Sequence, residues 1–147
     1  MREIFLLALQ IFQVVFLWIH DWLPLGRMND VAAVKSQDTR AHLVTVTFIQ
    51  SAPFTIGLIS CLIYFGLSYP MWLIYWLDIS YATLFIGQLR AWWIPYLFLP
   101  DAKRAARYQI MFGKTHSFLP VRNGLVPNTA HILLHVATCA TLVLLLL

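Results

Sequence analysis

Four stretches of this chain run for the length of a membrane crossing with almost no charge, and they constrain its fold more than any other feature. They cover roughly residues 4–21, 43–65, 70–89 and 129–147, and the only formally charged residues in them are Asp21, at the end of the first, and Asp78, inside the third. A transmembrane helix needs about 20 predominantly apolar residues. With 61% hydrophobic and 11% charged residues, the chain could not present polar surface to water on all sides. The expected fold is an all-α integral membrane protein: residues 1–147 form one polytopic domain, a four-transmembrane-helix bundle with a short interfacial amphipathic helix before the fourth span. The first stretch is not read as a cleaved signal, because Trp18, Trp22 and Leu23 stand where small residues should lie. Cys61 and Cys139 both fall in apolar segments, where a thiol acts as a small hydrophobe, and no disulfide is expected.

The cationic residues predict the threading. Of ten Lys and Arg, Arg27, Lys35 and Arg40 lie in the first hydrophilic loop and six more lie between Arg90 and Arg122, whereas only Arg2 lies elsewhere. The positive-inside rule then puts both termini outside and the loops 22–42 and 90–127 in the cytoplasm. Trp92, Trp93 and Tyr96 read as an aromatic belt at the membrane–water interface. Asp101 to Gly113 reads as a surface helix, with Asp101 as its cap and Lys103, Arg104 and Arg107 as a basic face toward an anionic leaflet. The bilayer accounts for these cations, and no nucleic-acid partner is expected.

Polar side chains inside the spans form the candidate site. Gln10, Gln13, His20 and Asp21 share one face of the first helix; Thr47, Gln50 and Ser51 cluster before Pro53 on the second. Asp78, Tyr81 and Gln88 share a face of the third, where a carboxylate is retained only with a partner such as Gln10, Gln13 or Thr138, or with a task. The densest window is Gly113 to Cys139. It holds His116, Arg122, an Asn123-Gly124 turn signal, and a Pro127-Asn128-Thr129 helix start. His131 and His135 follow one helical turn apart, with His135 about 10 Å beyond the start of its helix. The pair can present imidazoles to a metal or a haem, with His20 as a further ligand, or can hydrogen-bond between helices.

Three functions from different classes fit these residues. The first is a polar, His-containing site at the cytoplasmic end of the bundle that binds or acts on a membrane-embedded anionic or amphiphilic small molecule. There His116, His131, His135 and Asp78 would supply acid, base or ligand, while Arg90, Arg122, Asn123, Gln88, Tyr81, Gln50 and Gln13 would hold the substrate. The second is a transporter or proton-coupled carrier lined by Asp78 and the glutamine stripe, working as an oligomer. The third is an accessory or structural subunit whose polar stripes meet another membrane protein, with haem or metal among its possible cofactors. The size, four spans, outward termini and basic first loop are similar to the glutathione-dependent MAPEG enzymes, and Arg40-Ala41-His42 resembles their motif at the second span. The Asn and Glu that should follow are absent, with Val44 and Thr47 nearby. Phe112 to His116 is similar to the Phe-x-x-x-His of membrane CAAX-type proteases, but Glu3 is the only glutamate in the chain and their paired glutamates are missing. Neither resemblance assigns a family.

Overall fold

The computed structural model describes all 147 residues and is helical throughout, with no strand. The elements are α1 (Arg2–Ile19), α2 (Val31–Gln37), α3 (Arg40–Ile63), α4 (Met71–Gln88), α5 (Ile94–Leu97), α6 (Ala102–Phe112) and α7 (Thr129–Leu146). Four of their starts are set by short polar side chains that accept a backbone N–H of the first turn: Asp30 for α2, Thr39 for α3, Asp101 for α6 and Asn128 for α7. α1, α3 and α7 are long and apolar enough to cross a membrane. α4 has the same 18-residue length as α1 and α7. It carries Asp78, Gln88 and several Trp and Tyr residues, and it does not reach the hydropathy of those three.

Consecutive contacts place the four long helices around a shared core, with α1 between α3 and α7 and α4 closing from α7 back to α3. Leu73, Leu77, Tyr81, Phe54, Leu17 and Leu134 fill its interior. Large apolar residues of the three most apolar helices, such as Phe5, Phe48, Ile63 and Val136, point outward and stay exposed, as a helix surface that meets lipid would. The polar stripes face protein in part: Gln10, Gln13, Thr47, Ser51 and Gln88 are buried, whereas Gln50 is exposed and Asp78 half-buried. Gln88 Nε2 donates to Thr138 Oγ1 (2.9 Å), Thr138 Oγ1 donates to Gln13 Oε1 (3.0 Å), and Gln13 Nε2 donates to Thr141 Oγ1 (2.9 Å). Gln13, Thr138 and Thr141 are fully buried, so this ladder ties α1, α4 and α7 together where unpaired amides would be costly.

α4 does not end cleanly. It widens into a five-residue π turn, Leu89–Trp93, before the short α5. The guanidinium of Arg104, from α6, donates to the carbonyls of Arg90 and Ala91 inside that turn. A basic residue expected on the leaflet-facing side of α6 thus satisfies backbone groups that the widened turn leaves open.

α3 and α4 meet close to the turn that joins them. The Trp76 indole donates to the Pro53 carbonyl (2.9 Å), and Phe54 and Tyr81 stack with ring centroids 5.1 Å apart. At Gly57 a Cβ would lie 3.0 Å from Leu77 Cδ2, so a side chain there would press on the buried Leu77 of α4. Gly87, near the other end of α4, faces open space. Gly57→Val should therefore overpack the joint and destabilise the protein by about 1–3 kcal/mol, whereas Gly87→Ala should leave the melting temperature in detergent unchanged or raised. Equal effects in the two variants would contradict this close approach.

Candidate functional site

From the joint at Pro53 and Trp76, the facing surfaces of α3 and α4 separate toward the N-terminus of α3 and the C-terminus of α4, and a cavity of about 930 Å³ lies between them. Val46, Ile49 and Gln50 form one wall and Ile79, Thr83 and Gly87 the other. Several of these residues are exposed, so the cavity opens sideways between the two helices. Its floor is made by Leu17, Gln88, His131, Leu134 and His135, and its end is covered by Tyr108, Met111 and Phe112 of α6. The size falls within the range of small-molecule sites, and most of the surface is apolar with a few convergent polar groups.

The histidines are held in defined states by their neighbours. Asn128 is fully buried; its Nδ2 donates to the Met28 carbonyl (3.1 Å), which orients the amide. Its Oδ1 then accepts from the backbone N–H of His131 (3.0 Å) and from His131 Nδ1 (2.6 Å). That assigns the His131 proton to Nδ1 and leaves a lone pair on Nε2. His135 is arranged the opposite way, because Trp93 Nε1–H donates to its Nδ1 (3.0 Å). Its neutral ring therefore carries the proton on Nε2. His20 Nδ1 donates to the Phe16 carbonyl (3.0 Å), and its Nε2 lies 3.4 Å from Asp21 Oδ2.

The π turn explains how two consecutive tryptophans serve two consecutive turns of α7. Trp92 packs on His131 with centroids 4.5 Å apart, and Trp93 reaches His135. Trp92 is buried, so the expected interfacial belt is at this position an internal wall of the site. At the rim, Asp38 pairs with Arg107 (2.6 Å) and lies 3.5 Å from His42 Nε2, linking the start of α3 to α6 across the cavity.

Of the residues singled out from sequence, the cavity brings together His131, His135, His20, Gln88 and Gln50. Gln13 lies behind them in the buried ladder. Tyr81 packs on Phe54 in the core, its hydroxyl buried without a hydrogen-bond partner. Asp78 is half-buried and does not line the cavity, and its expected partners are engaged elsewhere: Gln13 and Thr138 with each other, Gln10 with Cys61. His116 stays at the surface, where its Nδ1 meets Thr129 Oγ1 (2.7 Å) and its backbone bonds to Arg27 and Thr129, fastening the loop to the start of α7. Asn123 adopts the positive φ of its turn and donates to the carbonyls of Pro95 and Tyr96. Arg122 and Arg90 have exposed side chains away from the cavity. No three His, Cys, Asp or Glu side chains are grouped so as to hold a metal ion, His20, His131 and His135 included; their rings stand edge to face with centroids 5.9 and 6.2 Å apart.

Asp38, His42, Arg107 and the two tryptophans were not recognised as site residues from sequence. The Asp38/His42 spacing across a helix start was the one local signal for them. No family model, curated protein or solved structure matches the chain.

The two tautomers can be read by nitrogen-15 NMR of histidine-labelled protein. His131 should be protonated at Nδ1 and His135 at Nε2, and Trp93→Phe should release the preference of His135 alone. The same tautomer at both positions in the intact protein would contradict the hydrogen bonds described.

Proposed function

We propose that this is a four-span membrane protein whose cavity binds, or acts on, an amphiphilic small molecule drawn sideways from the bilayer. The observation that carries this reading is the form of the cavity: apolar walls from α3 and α4 open at the level of the spans, and a floor bears two oriented histidines. A water-borne ligand has no need of a lateral opening between two lipid-facing helices. An acyl or isoprenoid chain does, because it keeps its tail in apolar surroundings while its head reaches the polar end. His131 Nε2 is available as a base and His135 Nε2–H as a donor, which suits acid–base chemistry on a head group as well as binding.

In this reading α4 is the third of four crossings, its Asp78 tolerated at a half-buried position. The termini lie outside, and the cationic segments 22–42 and 90–127 lie against the anionic cytoplasmic leaflet. Arg90 and Arg122 then serve the leaflet, and the ligand is held by groups inside the cavity.

Two experiments test this. Single cysteines at Ser36 and Ser117 should be labelled only from the cytoplasm and a tag after Leu147 only from outside; external labelling of both loops would overturn the threading. For the site, Thr83→Trp places a large ring on the cavity wall. Native mass spectrometry of protein extracted in lipid nanodiscs should show a bound amphiphile in the unaltered protein and its loss in Thr83→Trp. Identical spectra with nothing bound in either would contradict the reading.

A further inference from the structure

The cavity's charges and hydrogen-bonding groups are unevenly placed, and their placement selects among head groups. The fixed charges sit at the rim and are already matched. Asp38 pairs with Arg107 and lies beside His42, Asp21 lies beside His20, and Lys35 and Arg40 line a separate, smaller pocket on the far side of Asp38. The floor holds no formal charge. Its polar atoms are neutral and of both kinds: the His131 Nε2 lone pair and the His135 Nε2–H. Gln88 is only 6% exposed; its Nε2 is used on Thr138, and its Oε1 has no partner in the protein. That oxygen is closed off from the cavity, so the two imidazoles present the polar atoms to whatever fills it.

We propose that the ligand of this cavity is an uncharged long-chain alcohol, its hydroxyl donating to His131 Nε2 and accepting from His135 Nε2–H. The proposal rests on the amphiphile reading above and narrows it to a head group. A hydroxyl has one donor and two lone pairs, which matches this mixed set of neutral partners. A carboxylate or phosphate would bring to the floor a charge with no counter-charge there, against the lone pair of His131. An ammonium would offer donors only and leave His135 Nε2–H unmatched. Either ion would be desolvated among Trp92, Leu134 and Phe112, where burial without a partner is costly. The tail then lies along Val46, Ile49, Phe54, Ile79 and Leu84 toward the opening.

The test uses the full-length protein in phosphatidylcholine nanodiscs with radiolabelled hexadecanol as the probe and hexadecanoate and hexadecylammonium as competitors. Hexadecanol should bind near one per protein, and both ions should compete at least about tenfold more weakly than unlabelled hexadecanol, a difference of about 1.4 kcal/mol. His131→Phe and His135→Phe should each weaken hexadecanol binding by about tenfold, as expected when a buried polar partner is removed. Competition by either ion as strong as that of hexadecanol overturns the alcohol assignment and leaves the amphiphile reading in place. So does undiminished hexadecanol binding by correctly folded variants. Binding of none of the three removes both. The head-group ranking is made on the unaltered protein, so it decides the matter even where a variant fails to fold.

Discussion

The hydrogen bonds of one buried amide, that of Asn128, hold the polar end of this protein together. Asn128 caps α7 through Oδ1, grips the Met28 carbonyl after the 3-10 turn at Gly26–Met28, and fixes the ring of His131. The three roles reinforce one another. Because Nδ2 is committed to a carbonyl, Oδ1 must accept, and because Oδ1 accepts, His131 must donate from Nδ1. The loop from Gly113 to Pro127 is fastened beside this amide by His116, which reaches both Arg27 and Thr129. The start of α7, the first loop and the chemistry of one imidazole therefore depend on a single side chain whose replacement would expose several unmatched groups at once.

A second arrangement works from the other side. α4 widens into a π turn, and such turns recur at functional sites because they re-aim side chains that a regular helix would spread. Here Trp92 and Trp93 both reach α7, one packing on His131 and the other donating to His135, while Arg104 closes the backbone that the turn opens. Two neighbouring histidines of the same residue type are thereby given opposite tautomers. The site has a lone pair and an N–H side by side without any net charge, in surroundings where a charge would be poorly solvated.

Much of the architecture was legible in the sequence because it rests on local rules. The apolar runs, the capping residues Asp101 and Asn128, the Asn123-Gly124 turn and the inward glutamine stripe each follow from composition, periodicity or side-chain reach over a few residues. The site was only partly legible. The two imidazoles on α7 stand out by spacing, but the groups that assign their protons are on other elements. The Asp38–Arg107 pair spans a separation of 69 residues, which no local pattern reports. The π turn has no distinctive residue signature, so Trp-Trp before Pro95 reads as an interfacial belt. Arg90, Arg122 and Asp78 were weighted by chemistry alone, and the fold leaves their side chains outside the cavity because exposure and helix face, not residue type, decide what a cavity sees.

The central claim is that a specific amphiphile enters between α3 and α4. It is tested most directly by a photo-crosslinking amino acid placed, in separate variants, at Thr83 on the cavity wall and at Ile86 on the exposed face of the same helix, and activated in intact membranes. Mass spectrometry should find a discrete small amphiphile attached at position 83 and the general mixture of membrane lipids at position 86. The same lipid mixture at both positions would contradict the account, because the cleft would then be ordinary lipid-facing surface.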